Sequence, residues 1–381
     1  MTESTSAVTV RHWLAEPLPR DVAVALERLA RTDDVRYVAV MPDVHLSRDV
    51  CTGAVVATRQ RLYPQAVGND LGCGMAAVRL EGQADLLADE HAAARVLAGL
   101  YRTVPALRHP RATLRAQLPD ELMSDELSDP RLEKLKHRDG RVQFATLGRG
   151  NHFLELQADH EGALWLMVHS GSRAIGQAIV THHLRQAQQA NTGLLYLEAD
   201  SDTGRAYLQD LRWACAYAEQ SRLAMLEAVA ALMKELFGVE TERTSVLHCN
   251  HNHVRQETHF GVNFWVHRKG AVSACAGEPG IIPGSMRAAS FHVAGRGKEE
   301  SLCSSSHGAG RRLSRTEARH AIGTGELERQ LHGVWFDHRL AHALREEAPA
   351  AYKDIQDVMG AQRDLTRIVR RLRPVLCYKG A

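Results

Sequence analysis

The 381-residue sequence predicts a mixed α/β fold: a single large domain over 1–381, with a mixed β-sheet core and a long helical pair inserted at about 176–238. Three observations carry this. Short β-branched runs such as "DVRYVAVMPDVH" and "TGAVVAT" are bounded by turn residues and read as buried strands. Two stretches with helical apolar spacing, "IGQAIVTHHLRQAQQA" and "AYLQDLRWACAYAEQSRLAMLEAVAALMKELFG", follow one another in mid-chain and suit a hairpin of two long helices. Residues suited to chemistry flank this pair on both sides with no linker or repeat between, so the pair reads as an insertion into one domain.

The remaining elements follow in order. "ADLLADEHAAARVLAGLYRTV" has helical spacing. The segment from about 109 to 140 is polar, holds three prolines and lacks sustained periodicity, which predicts a surface excursion. "ALWLMVHSGSR" reads as a strand running into a turn. From 245, "SVLHCNHNHVRQETHFGVNFWVHRKGAV" alternates as strands do, around many histidines, and "GIIPGSMRAASFHVAG" predicts a glycine-interrupted strand pair. A helical stretch is expected near 340 to 371, before "RLRPVLCYKGA".

Composition narrows the function classes. Lys plus Arg number 47 against 45 Asp plus Glu, so there is no overall basic field, and nucleic-acid binding would need a local patch. Seven cysteines at irregular intervals make no disulfide framework and suit a reducing compartment. The N-terminal stretch lacks the pattern of a secretory leader, and no apolar run approaches a membrane span, so a soluble cytoplasmic protein with no membrane partner is expected. The 21 histidines, concentrated between 152 and 307, and the 29 glycines point to metal or phosphate chemistry more than to packing.

Several clusters carry that chemistry. "VGNDLGCGM" sets Asp70 and Cys73 three apart in a glycine-rich turn, close enough for a carboxylate and a thiolate to share a metal centre. "TLGRGNHFLELQ" places Asn151 and His152 after a glycine bend, with Glu155 three residues on. "MVHSGSR" puts His169 at the end of an apolar strand, where a ligand is held rigidly. "HCNHNHVRQE" supplies His248, His251 and His253; on a continuous strand 251 and 253 would share a face and 248 the other. "SSSHGAGR" sets His307 among serines and glycines that let backbone approach a ligand closely.

The series "MPDVH", "GNDLGCG", "GRGNHFLE", "HSGSR", "HNH", "HRKGA", "PGSM", "HGAGR" and the terminal "RLRP" and "KG", in this order across almost the whole chain, resembles the RtcB family of GTP-dependent RNA ligases. The resemblance implies a centre for two Mn²⁺ with Asp70, Cys73, His152, His169 and His251 as ligands, the cysteine serving both, and His251 preferred because Asn252 follows it. It implies His307 as the nucleophile. It also implies that GTP is held by Asn151, Glu155, His251, Asn252, Pro283, Gly284, Ser285, Met286, Ser290, Gly308, Ala309, Gly310 and Lys379, with His307 as the covalent contact and Tyr352 packed on the base. Arg173, Arg268 and Arg311 are candidates for phosphate contacts, since the planar guanidinium fork suits phosphate oxygens.

The implied reaction joins an RNA 3′-phosphate or 2′,3′-cyclic phosphate end to a 5′-hydroxyl end through a histidine–GMP adduct, in RNA repair or tRNA splicing, with an activating protein partner left open. Two rivals share the motifs: a metal-dependent phosphodiesterase or phosphatase on the same centre, and a catalytically silent RNA-end-binding protein. On affinity alone a thiolate with three imidazoles favours zinc over manganese, so manganese rests on the resemblance. The chain departs from the family after "MPDVH", where "LSRDVCTG" puts Arg48 and Asp49 on ground usually occupied by a proline- and glycine-rich turn, and at its end, where Ala381 follows "KG".

Overall fold

The computed structural model describes residues 8–109 and 118–380, so Ala381 lies outside the described residues. After β1 (Thr9–His12), helix α1 (Arg20–Ala30) buries Val22, Leu26 and Leu29, a stripe at i, i+4 and i+7. It packs on β2 (Val35–His45), which pairs with β3 (Thr52–Thr58). The two strands are buried on both faces: Val38, Val40, Ala54 and Val56 point toward α1, and Ala39, Met41, Val55 and Ala57 toward a second cluster. Such strands read as continuous apolar runs, as these do.

After β4 (Arg61–Leu62) comes β5 (Gly74–Gln83), then α2 (Glu90–Thr103), whose first turn is capped by the Asp89 carboxylate accepting from Ala92 N–H. The next segment corrects the expected surface excursion. Residues 110–117 of it lie outside the described residues, but the rest forms α3 (Asp120–Ser124), α4 (Pro130–Leu135) and α5 (Arg141–Gln143) and sends Leu118, Leu122, Leu127 and Leu132 into the main core. Its polar residues misled because they are used internally. Lys136, fully buried, donates from Nζ to the carbonyls of Met123 and Asp125, and the Leu122 carbonyl accepts from Trp213 Nε1.

Strands β6 (Phe153–Ala158) and β7 (Ala163–Ser170) precede the helical pair, which is unequal. The first member, α6 (Arg173–Leu184), stops before "QAQQA", where Gln188–Gln189 forms β8 against β9 (Leu195–Glu198). The second, α7 (Asp202–Phe237), runs 36 residues from a Ser201 cap and lies across β5 and β7. Then follow β10 (Thr241–Asn250), β11 (Asn252–His259), β12 (Val262–Lys269), β13 (Ala271–Ser273), β14 (Pro279–Ile282), β15 (Ser290–Gly295) and β16 (Ser304–Ser306). Short helices α8 (Arg315–Ala321), α9 (Thr324–Gln330), α10 (Ala341–Leu344) and α11 (Ile355–Ala361) lead to β17 (Thr366–Tyr378). The expected helix over 340 to 371 is thus replaced beyond Ala361. Arginines obscure the strand alternation of "TRIVRRLRP", and pairing with β6 and β15 decides its conformation.

A five-stranded sheet has the order β1-β2-β3-β12-β11 and a seven-stranded one the order β10-β5-β7-β6-β17-β15-β14. The larger sheet is antiparallel throughout and is covered on both sides. Ala76, Val78, Leu80, Leu154, Leu156, Leu166 and Val168 face the main core with α2 and α7, whereas Met75, Ala77 and Met167 face the opposite cluster with Val272 and Ile281.

One buried polar cluster ties α6 and α7 to the 118–140 segment. The Asp210 carboxylate, with no exposure, accepts from His183 Nε2 at 2.7 Å, Ser128 N–H at 2.8 Å and Ser128 Oγ at 2.7 Å. Asp210→Ala strands all three donors and should cost about 3 kcal/mol, read as a lower urea midpoint with unchanged slope.

Candidate metal and nucleotide site

The neighbouring strands β10, β5, β7 and β6 end at one level, because Gly74 pairs with Asn250 on one side and Ser170 on the other, and Phe153 pairs with His169. Cys73 precedes β5, His169 is the penultimate residue of β7, His152 precedes β6, and His251 sits at the turn between β10 and β11. Their side chains converge. Cys73 Sγ lies 3.3 Å from His169 Nε2 and 3.5 Å from His152 Nε2; His169 Nε2 lies 3.4 Å from His251 Nε2; His152 Nε2 lies 2.9 Å from Asp70 Oδ2. Two triads, Cys73–His169–His251 and Asp70–Cys73–His152, each keep their ligand atoms within 4.8 Å and share the cysteine. Three inward imidazole nitrogens, a thiol and a carboxylate form a donor set that suits divalent cations.

The backbone fixes this orientation. His152 Nδ1 lies 3.0 Å from the Leu147 carbonyl and His169 Nδ1 3.0 Å from the Asn151 carbonyl, which turns both Nε2 atoms toward the centre; at His169 the Nδ1–H tautomer leaves the Nε2 lone pair facing it. Burial, with neighbouring imidazoles, holds His169 and His251 well below the usual histidine range, so both are neutral and able to ligate. Burial opposes ionisation of Asp70, but the hydrogen bond and charge of His152 and the charge of Arg173 outweigh it and hold the carboxyl below its ordinary value. Burial and the Asp70 carboxylate push the Cys73 thiol well up, and it is the group a cation would deprotonate.

His307 follows β16, and its ring centroid lies 4.9 Å from that of His251. One oxygen of the buried Asp43 accepts from both His307 Nδ1 (2.6 Å) and His307 backbone N–H (3.1 Å). That oxygen therefore faces the Nδ1 side of the ring and leaves Nε2 without a part in the contact. Gly310, at φ +74°, lets the loop pass over Asp43: a Cβ there would stand 2.2 Å from the Asp43 carbonyl oxygen.

A cavity of about 500 Å³ opens above these groups. It brings together most of the expected residues: Asp70, Cys73, Asn151, Glu155, His169, His251, Asn252, Pro283, Gly284, Ser285, Met286, His307, Gly308, Ala309, Gly310, Arg311, Tyr352 and Lys379. Asn252 bridges two parts of the wall, donating to the Asp70 carbonyl at 3.0 Å and accepting from Gly270 N–H at 2.9 Å. Ser290 lies behind the wall, its Oγ accepting from Gln157 Nε2. Burial raises Glu155 to about 7, although Gln157 Nε2 donates to it at 2.7 Å.

Several expectations change. The chain bends at His251, so strand alternation does not carry through to His253, which is buried beside Arg268 rather than in the cavity; His248 is half-exposed near Glu219. Arg268 faces the interior of β12, fully buried, with its fork on Glu257 and further bonds to Ser304 Oγ and the Leu302 carbonyl, so no phosphate reaches it. Arg173 reaches His152 Nδ1 at 3.2 Å. Arg48 and Asp49 are exposed and do not line the cavity. Their loop is held from beneath by Lys269, whose Nζ donates to the carbonyls of Arg48 (3.0 Å) and Val50 (2.6 Å).

Sequence reasoning missed Asp43, although it lies within "MPDVH", and it missed Glu347, for which no local signal exists. Glu347, 2 % exposed, accepts from Lys379 Nζ at 3.0 Å, Tyr352 hydroxyl at 2.6 Å and Arg311 Nη1 at 3.1 Å. Burial works against its charge, but Lys379 and Arg311 more than compensate and hold it below the ordinary carboxylate range. Phe153 lies under the Lys379 ammonium, 5.5 Å from ring centroid to nitrogen.

A family model described as "tRNA-splicing ligase RtcB" matches residues 25–380. The chain belongs to the RtcB family. It is 35% identical over 404 residues to the RNA-splicing ligase RtcB of Escherichia coli K12, covering 99% of this chain and 98% of that protein. It is 30% identical to the RNA-splicing ligase RtcB of Mycobacterium tuberculosis, covering 91% and 97%, and 28% identical to the tRNA-splicing ligase RtcB of Thermococcus kodakarensis, covering 91% and 88%. Among the described residues of this RtcB-family chain, no helix is long and apolar enough to cross a membrane.

Glu155 gives a stability test independent of any ligand. Its folded value of about 7 lies above the ordinary carboxylate value, so the native state binds the extra proton and stability falls as pH rises from about 4.5 to 7. Glu155→Gln removes that cost. The variant should match the parent near pH 4 and exceed it by roughly 3 kcal/mol at pH 8, measured by urea unfolding without metal or nucleotide.

Proposed function

We propose that this protein is a GTP- and Mn²⁺-dependent RNA ligase that joins 3′-phosphate or 2′,3′-cyclic phosphate ends to 5′-hydroxyl ends through a His307–GMP adduct. In this reading it works in the cytoplasm, in RNA repair or tRNA splicing, as one catalytic domain. The observation that carries the reading is the placing of His307, oriented by Asp43, against the Cys73–His169–His251 triad in one cavity. A phosphodiesterase would need the metal ligands but not an oriented histidine nucleophile beside them.

Asp70, Cys73, His152, His169 and His251 would hold two cations, which when bound neutralise phosphate charge and favour in-line displacement. The chain's own groups do the rest. His307 Nε2 attacks the α-phosphorus of GTP, forming an N–P bond as the bond to the pyrophosphate oxygen breaks. Asp43 holds the Nδ1 proton and stabilises the positive charge that develops on the ring. Asn151, the Pro283–Met286 turn and the Gly308–Gly310 backbone line the path for phosphates, while Glu155 and Lys379 offer an acceptor and a donor to the base and Tyr352 an aromatic face. A 2′,3′-cyclic phosphate end is first opened by water, its P–O2′ bond breaking to leave a 3′-phosphate and a 2′-hydroxyl; GMP then passes to an oxygen of the RNA 3′-phosphate with cleavage of the N–P bond. The 5′-hydroxyl oxygen attacks that activated phosphorus, forming the new phosphodiester and releasing GMP.

With labelled GTP and Mn²⁺, the parent should form an acid-labile adduct whose peptide maps to His307. His307→Ala should form none, and Asp43→Ala should form it at the same residue at least about 100-fold more slowly, since the ring loses its orienting acceptor. An adduct in His307→Ala, or one mapping to Lys379, rejects this chemistry. Label in the RNA 3′-phosphate should be retained in the new linkage; sealing of 5′-phosphate to 3′-hydroxyl ends instead would exclude the proposed reaction.

A further inference from the structure

We infer that Arg222, at the middle of α7, is the positioning residue of the metal centre: a single guanidinium that holds together the three chain segments carrying Cys73, His169 and His251. The inference rests on the reading of those residues as metal ligands. Arg222 is fully buried. Its Nη1 donates to the carbonyls of Gly72 (2.8 Å) and Ser170 (2.9 Å), and its Nη2 donates to Asn250 Oδ1 (2.5 Å). Each acceptor is the immediate chain neighbour of a ligand: Gly72 precedes Cys73, Ser170 follows His169, and Asn250 precedes His251.

These three segments leave the seven-stranded sheet at this level. The β5–β7 and β5–β10 ladders both end at Gly74, so beyond it the ladder no longer sets their spacing. Beyond it the segments are joined pairwise, by His251 N–H to the Cys73 carbonyl at 2.8 Å, Gly72 N–H to the Asn252 carbonyl at 2.8 Å, Asn252 Nδ2 to the Asp70 carbonyl at 3.0 Å and Ser172 Oγ to Asp70 Oδ1 at 3.4 Å, and by the Arg222 fork. Among the described residues only the fork joins all three segments from one side chain. The helix is pressed onto the turn that the fork grips: a Cβ on Gly72, at φ +66°, would stand 2.7 Å from Cys215 Cα and 3.2 Å from Ala218 Cβ, one helical turn before Arg222.

The choice of residue is informative. Among the described residues Arg222 makes no ion pair, so a buried cation is spent on two carbonyls and an amide oxygen, where an apolar side chain would pack at less cost. The planar fork, with donors fixed in direction, spans three acceptors on three segments, which a lysine ammonium on a flexible stem does not hold in fixed geometry. Metal ligands whose supporting hydrogen bonds are removed typically lose 10–100-fold in affinity.

The test uses the full chain and Co²⁺, whose visible spectrum reports thiolate ligation and coordination geometry, and Mn²⁺, whose affinity is measured by calorimetry. Arg222→Met keeps the volume and removes the fork. It should retain the parent's far-ultraviolet dichroism without metal, bind Mn²⁺ about 10–100-fold more weakly, and show a weakened or shifted cobalt–thiolate band. Arg222→Lys, which keeps the charge, should show the same defects to a smaller degree, and it decides the matter should Arg222→Met fail to fold. Parent-like affinity and an unchanged cobalt spectrum in a folded variant overturn the role of Arg222 alone. A parent whose cobalt spectrum is identical to that of Cys73→Ser overturns the metal reading itself.

Discussion

The register of four antiparallel strand ends is the constraint on which the site depends. Gly74 faces Ser170 and Asn250 across two ladders, and Phe153 faces His169 across a third, so thiol and imidazoles emerge at one level. A slip of one residue in β7 would exchange the faces of its side chains and turn His169 away from Cys73. The apolar alternation on both faces of β5 and β7 opposes that slip, because each face is buried against its own cluster. Packing remote from the chemistry thus sets the geometry of the chemistry.

Beyond the ladders, buried cations repeatedly hold irregular backbone in place. Lys353 Nζ donates to the carbonyls of Pro42 and Val44, on either side of Asp43; Lys269 grips Arg48 and Val50; Lys136 grips Met123 and Asp125. A loop that leaves a sheet must satisfy its carbonyls, and an ammonium offers three donors from one atom. The irregular end of β2 that bears Asp43 and the divergent "LSRDVCTG" segment are therefore each tied by a buried ammonium. Burial pushes Lys269 down to about 8, the cost of using an ammonium in this way.

The far wall of the cavity is organised around one carboxylate. Glu347 collects Lys379, Arg311 and Tyr352 from three separated parts of the chain, with Arg315 at 3.6 Å. Removing any one donor would leave the rest of a buried charged network to compensate, which couples these residues energetically. The C-terminal Lys379 is 5 % exposed as a result, although a lysine two positions from the end of a chain would ordinarily be solvated.

Local pattern sufficed for the β-branched strands, the amphipathic α2 and α7 and the glycine-framed clusters around Asp70, Cys73, His152, His169, His251 and His307, because the residue types and their spacing report a periodicity or a close approach directly. The order of motifs along the chain was enough to suggest the family. Other features were decided only when distant segments met. The 118–140 segment packs inward because Asp210, Trp213 and the buried Lys136 satisfy its polar groups, and β17 is a strand because β6 and β15 flank it. His253 leaves the cavity because the backbone bends at His251, and Arg268 is consumed by Glu257 on the neighbouring strand. Asp43, Arg222 and Glu347 act through hydrogen bonds to residues 264, 150 and 32 positions away, among others, and no local periodicity encodes a contact made across that distance.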